Sequence, residues 1–287
     1  MNPIVIYHKN CLDGFGAACV AHHYFKQKNQ AVDFVAANHG DLPPNCNERD
    51  VYILDYSYKR PLLSALCLSA NSVTIIDHHI TANQDLIGLD EEHGNLQIIY
   101  DTRYSGAVLS WRYFEGEDSA PPCLLQHIQD QDLWQFRLKE TKNITAALHS
   151  RAFDFDYWQT LIESTEKLKP LSKEGKAINR YRKQLIKSYK ENVTISDVAG
   201  YKVPVVNCPP SITSELLHEL SHGHPFAVGY QDMGKTRGWS LRSNEEGIDV
   251  AKIASRYGGG GHLHAAGFST KLPAAILSPQ LFIDSQK

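Results

Sequence analysis

Short apolar runs, each closed by a polar cluster, punctuate the first part of the chain. Ile4-Val5-Ile6-Tyr7 leads into His8, Asn10, Cys11 and Asp13; Val51-Tyr52-Ile53-Leu54 leads into Asp55; Val73-Thr74-Ile75-Ile76 leads into Asp77, His78 and His79. Continuous runs of this length, separated by segments with helical periodicity, predict parallel strands buried on both faces. Ligands of such sheets gather beyond the carboxyl ends of the strands, so the three clusters are expected at one edge. Taken singly, Asp13 and Asp55 read equally well as helix caps, and His78 or His79 as loop histidines; the threefold recurrence favours a shared site.

Helical spacing of Ala17, Ala18, Val20, Ala21, Tyr24 and Phe25 predicts a helix over residues 14–27, whose amino end would point free backbone amides at that site. Pro61, tolerated in a first turn, opens a second helix through Leu62, Leu63, Leu66 and Leu68. A third begins near Ser105 and runs through Val108, Leu109, Trp111 and Phe114. From Asp154 to about Asn192 the chain turns polar and lysine-rich, with Pro170 breaking an otherwise helical pattern and Ile178, Tyr181, Leu185, Ile186 and Tyr189 forming one apolar stripe. Its lysines alternate with Glu163, Glu166, Glu174 and Glu191, as on a solvated face. Beyond Thr194, β-like runs at 201–207, 226–231 and 236–242 surround helices near 211–221 and 249–257. The expected class is α/β: a parallel-sheet domain over 1–153, a helical connector over 154–193 and a smaller α/β domain over 194–287.

At 287 residues and 42% hydrophobic content, the chain can build one large core or two modest domains. No segment approaches a membrane span and residues 1–7 lack the features of a signal peptide, so a cytoplasmic protein without a membrane partner is expected. Six cysteines, at 11, 19, 46, 67, 123 and 208, form no Cys-x-x-Cys pair and read as reduced thiols. A formal charge of −3 argues against a broad basic face tracking long nucleic acid. A small anionic substrate needs only a local pocket, for which Arg103, Arg137, Arg151, Lys235, Arg237 and Arg242 are candidates. Carboxylates and imidazoles without thiolate spacing suit Mn²⁺ or Mg²⁺ better than a structural zinc.

His8-Lys9-Asn10-Cys11-Leu12-Asp13-Gly14, Ile53-Leu54-Asp55, Ile75-Ile76-Asp77-His78-His79 and Asp130-Gln131-Asp132-Leu133-Trp134-Gln135-Phe136 resemble, in order, the four motifs of the DHH phosphoesterases. Leu241-Arg242-Ser243, Ile248-Asp249-Val250 and the run from Gly258 through Gly259, Gly260, Gly261, His262 and His264 to Phe268 are similar to the DHHA1 domain that accompanies one branch of that family. The resemblance implies an active site in the cleft between the two domains and two Mn²⁺ or Mg²⁺ ions. It implies that Asp55 bridges the ions, that Asp13, His78 and the motif-four aspartate hold one, and that His8 helps hold the other. Asp77 would be a nearby ligand or an anchor, and His79 would contact the phosphate or stabilise developing charge. Both Asp130 and Asp132 lie in motif four; the spacing to Phe136 favours Asp132, with Asp130 kept as a candidate. Arg242, Gly259, Gly260, Gly261, His262 and His264 are the implied substrate-binding set, because successive glycines let backbone amides approach an anion closely.

One departure stands out: many family members carry Asp-x-Asp in the first motif, whereas this chain has Cys11-Leu12-Asp13. The ion near His8 is then expected to bind more weakly or by way of water, with Cys11 close to the site but not a ligand. The function expected from this resemblance is hydrolysis of linear dinucleotides such as pGpG, or very short oligoribonucleotides, to mononucleotides by a two-metal mechanism. A pyrophosphate or polyphosphate hydrolase and a catalytically impaired nucleotide-binding module are the alternatives. The expected partner is thus a small nucleotide or short RNA, and the oligomeric state, with a homodimer as one option, stays open.

Overall fold

A computed structural model describes residues 1–38 and 40–272. The chain divides into two compact units, with the boundary between Asn179 and Arg180. Among the described residues no helix is long and apolar enough to cross a membrane.

In the first unit β1 (Ile4–His8), β2 (Asp33–Ala37), β3 (Asp50–Leu54), β4 (Ser72–Asp77) and β5 (Leu96–Tyr100) form a parallel sheet of order β2-β1-β3-β4-β5. Side chains alternate across it, and both faces are buried. Val5, Leu54 and Ile76 pack on one side with Phe15 and Val20 of α1 (Leu12–Gln27) and Leu109 of α5 (Gly106–Glu115). Ile4, Ile6, Ile53, Val73 and Ile75 pack on the other with Leu63 and Leu66 of α2 (Arg60–Ser69) and with Leu86 and Leu89, from α3 (Ile80–Leu86) and α4 (Leu89–Glu92). A two-sided core is why these runs are continuously apolar instead of alternating. The helices expected near 14, 61 and 105 are all present. β2 lacked a sequence signal because, as a half-exposed edge strand reading Asp-Phe-Val-Ala-Ala, it carries little apolar run.

The first unit continues through α6 (Cys123–Asp132), α7 (Thr141–His149) and α8 (Phe155–Glu163). Asp154 caps α8 by accepting from the Tyr157 N–H at 2.7 Å, and Trp158, fully buried, meets the Phe15 ring edge-on at 4.9 Å. Residues 154–179 therefore belong to the first unit, and the segment expected as a helical connector over 154–193 is divided between the two. Its long helix, α9 (Leu168–Tyr189), places Leu168 and Leu171 in the first unit's core and Ile186 in a core of the second. Pro170 lies in the first turn of α9, where its missing N–H costs no intrahelical bond, so it does not break the helix. Tyr181, expected on the apolar stripe, is exposed.

The second unit holds β6 (Thr194–Val198), β7 (Tyr201–Asn207), α10 (Pro210–Leu220), β8 (Ala227–Met233), β9 (Thr236–Arg242), α11 (Val250–Ser255), β10 (Gly260–His262) and β11 (Ala265–Lys271). Its sheet has the order β10-β11-β9-β8-β7-β6, with β7 and β8 parallel and the other pairs antiparallel. Val203, Phe226, Val228, Leu241, Val250 and Ile253 form a core. The glycine-histidine run supplies the β10 side of a hairpin with β11. A Cβ on Gly259 would lie 2.0 Å from the Gly267 carbonyl oxygen, and Gly261 has φ +139° with the Ala265 carbonyl 2.4 Å from where its Cβ would stand. Glycine is required at both positions by backbone packing inside the hairpin.

Candidate metal centre

His8 ends β1, Asp55 follows β3, and Asp77 ends β4. These strands are neighbours and β2 lies on the other side of β1, so the polar ends converge where the strand order reverses. Asp13 comes from the first turn of α1, close behind β1. Its Oδ2 accepts from the Gly106 N–H at 2.5 Å and its Oδ1 from the Ala107 N–H at 3.0 Å, which sets the carboxylate on the positive end of α5.

Asp55 is central and buried. Its backbone is held at φ +54°, a left-handed conformation, and its N–H donates to the Ile76 carbonyl at 2.8 Å. Oδ1 lies 3.2 Å from His78 Nε2 and 3.9 Å from His79 Nδ1; Oδ2 lies 3.5 Å from His8 Nδ1. His78 Nε2 also stands 3.7 Å from Asp13 Oδ2 and 3.4 Å from Asp132 Oδ2. Asp77 Oδ1 accepts from the His78 N–H at 2.8 Å and pairs with His79 Nδ1 at 2.7 Å, which fixes the turn and orients the second imidazole.

The electrostatics follow from this crowding. Burial opposes charge on both imidazoles, yet Asp55 and Asp132 push His78 up to about 10, and Asp77 pushes His79 up to about 9. Burial works against ionised Asp55, but the imidazoles of His78 and His8 outweigh it and hold Asp55 well below the usual carboxylate range. Asp13 and Asp132 are raised by burial and by the Asp55 charge. Imidazolium protons thus do, in the metal-free protein, part of what a cation would do.

The donor set fits divalent ions. Oδ2 atoms of Asp55, Asp77 and Asp132 are buried and accept no hydrogen bond, a costly arrangement unless a cation satisfies them. Within the first unit, three groups among the described residues have donor atoms within 4.8 Å of one another: Asp13, His78 and Asp132; Asp55, Asp77, His78 and His79; and His8, Cys11 and Asp55. Predominantly hard oxygen and imidazole donors suit Mn²⁺ or Mg²⁺.

Asp130 lies outside this constellation, which corrects its candidacy as a ligand. Two residues apart on α6, Asp130 and Asp132 point about 200° apart around the helix axis, so they cannot share one site. Asp130 accepts from the Arg137 N–H at 2.7 Å, the Leu138 N–H at 3.0 Å and the Thr141 hydroxyl at 2.6 Å, tying down the loop into α7. Cys11, expected only nearby, stands in donor range of His8 and Asp55. Gly106 was not foreseen: a Cβ there would sit 2.6 Å from the Asp55 Cβ and 3.0 Å from Asp13 Oδ2. Its only sequence signal is its place at the start of a helix.

In the second unit Arg242 pairs in register with Ala265 across β9 and β11. Its guanidinium donates to the Leu241 carbonyl at 2.9 Å and the Ser214 hydroxyl at 3.0 Å, and burial lowers its pKa to about 10. His264 Nδ1 lies 2.9 Å from the hydroxyl of Ser243, the residue after Arg242. Arg242 and the glycine-histidine hairpin are therefore neighbours in the fold.

No family model matches the chain. An uncharacterised protein of Acanthamoeba polyphaga mimivirus is 28% identical over 93% of this chain and 67% of its own length. The oligoribonuclease NrnB of Bacillus subtilis is 26% identical over 92% of this chain and 72% of its own. Among solved structures, RecJ of Thermus thermophilus in complex with Mn²⁺ superposes with TM-score 0.57 at 16% identity, covering 96% of this chain and 50% of RecJ. The pGpG-specific phosphodiesterase PggH of Vibrio cholerae gives TM-score 0.50 at 14% identity over 99% and 98% of the two chains. Sheet order, converging carboxylates and imidazoles, and these relatives support a metal-dependent phosphoesterase. In its motifs and its fold the chain is similar to the DHH/DHHA1 phosphoesterases.

Proposed function

We propose that the protein is a phosphodiesterase that hydrolyses linear dinucleotides such as pGpG, or very short oligoribonucleotides, to mononucleotides. The observation that carries this reading is the buried cluster around Asp55, with three carboxylate oxygens that accept no hydrogen bond. Correspondence along nearly the whole chain to a protein named an oligoribonuclease supports the substrate class. So do the fold shared with a pGpG phosphodiesterase and the absence of excess positive charge for a long strand.

Asp13, His78 and Asp132 would hold one divalent ion, Asp55 would bridge to a second, and His8 would help hold that second ion. Such ions supply Lewis acidity and an activated water for displacement at phosphorus. Asp77 positions His79 through Nδ1, so that a protonated His79 presents a hydrogen bond to a phosphoryl oxygen as charge develops there. Arg242 and the neighbouring histidines His262 and His264 would bind the portion of the nucleotide that is not cleaved.

The test is purified protein with Mn²⁺, incubated in parallel with pGpG, a cyclic dinucleotide, a five-mer RNA and pyrophosphate, with Asp55→Asn as control. Asparagine tolerates the left-handed backbone, so that variant keeps the fold. Mononucleotide release from pGpG or the five-mer, lowered in the variant by about three orders of magnitude, is the expected result. Phosphate from pyrophosphate alone would overturn the substrate class, and unchanged turnover in Asp55→Asn would overturn the site.

A further inference from the structure

We propose that Cys11 is a metal ligand, and that together with His8 and Asp55 it makes the second ion position selective for a thiophilic divalent ion of the zinc and cobalt type. The inference rests on the metal centre described above and adds the identity of one of its ions. Sulfur, nitrogen and oxygen donors of the three residues lie within 4.8 Å of one another. Bonds of about 2.0–2.3 Å from an ion to such donors keep any two of them within about 4.6 Å, so small side-chain adjustments close the set on one ion.

Two further observations point the same way. Asp55 is 1% exposed, and its Oδ2, 3.5 Å from His8 Nδ1, is buried and accepts no hydrogen bond. Cys11 is the N-cap residue of α1, with extended backbone at φ −115° and ψ 137°, and its side chain caps nothing. Serine, aspartate or asparagine would serve the helix better in that place. A thiol there gives up capping and stands instead against His8 and Asp55.

The centre is then asymmetric. Asp13, His78 and Asp132 offer two carboxylates and an imidazole, which favour Mn²⁺ or Mg²⁺, whereas a thiolate, an imidazole and the shared Asp55 favour Zn²⁺ or Co²⁺. On binding, the thiol proton goes to solvent and the thiolate takes its place on the ion.

Co²⁺ is the probe. Titrated into the metal-free full-length protein, it should give near-ultraviolet thiolate-to-cobalt charge-transfer absorption that saturates at one equivalent. Cys11→Ser and Cys11→Asp should both abolish that band, while Cys123→Ser keeps it. Calorimetry should show one of two Co²⁺ sites weakened about 10–100-fold in Cys11→Ser. In Cys11→Asp the lost preference should appear as tighter Mn²⁺ binding at the same position. Both substitutions introduce good helix caps, so loss of fold is not expected, and thermal unfolding checks it. Two Co²⁺ ions bound by wild type without the thiolate band would overturn this inference and leave the metal centre standing. No Co²⁺ or Mn²⁺ binding at all would overturn both.

Discussion

Asp130 and Asp132 show how much a single residue's direction decides. Asp130→Asn turns one of the two acceptor oxygens into an NH2 donor facing donors of the α6–α7 loop, so it should lower stability by about 1–3 kcal/mol while metal stoichiometry stays unchanged. Asp132→Asn should do the reverse: metal affinity falls by more than about tenfold, and the metal-free protein unfolds no earlier because the cost of burying that charge, added to its repulsion with Asp55, outweighs its attraction to His78. Calorimetry and thermal unfolding on the two variants separate the roles. The raised histidines give a pH signature. His78, at about 10, must lose its proton when an ion binds, so apparent metal affinity rises with pH through neutrality, and binding releases protons measurable by calorimetry in buffers of different ionisation enthalpy. The same shift means the metal-free fold is helped by charged His78 and His79 below about pH 6.5. That contribution disappears as pH rises through about 9 and 10. A metal-free protein whose stability is flat over this window would contradict the assignment.

At the scale of elements, the site depends on how closely α5 starts against β3. Gly106 brings two backbone amides to Asp13 and lets the helix end sit on Asp55. Gly106→Ala should cost about 1–3 kcal/mol through overpacking and, by displacing both carboxylates, weaken metal binding as well. Stability lost with metal affinity intact would show that the two carboxylates are placed independently of α5. The elements with strong periodicity were legible in the sequence: β1, β3 and β4 as apolar runs, α1, α2 and α5 as helical stripes. β2 and the β10–β11 hairpin were not, since an edge strand needs little apolar run and glycines have low strand propensity until a neighbouring backbone demands them.

Over the whole molecule, each unit brings together its own residues. The first collects His8, Asp13, Asp55, Asp77, His78, His79 and Asp132 from four separate stretches of sequence; the second sets Arg242 beside the glycine-histidine hairpin. If Arg242 binds substrate phosphate, Arg242→Ala should raise KM for pGpG by about 10–100-fold, the worth of a charge-assisted hydrogen bond, with Mn²⁺ affinity unchanged. An unchanged KM would remove Arg242 from substrate binding.

The order of apolar runs and polar clusters already dictates a parallel α/β unit with acids and imidazoles at its carboxyl edge, because two-sided burial imposes continuous apolar strands and strand ends are where the chain can change character. Sequence spacing cannot say which way a side chain points once an element forms. That direction turned Asp130 into a loop anchor and Asp132 toward His78, and brought Cys11 into donor range of Asp55. It also gave Gly106 its purpose, since that contact joins stretches ninety-three residues apart. Such contacts are products of packing between distant segments, and only the tertiary structure decides them.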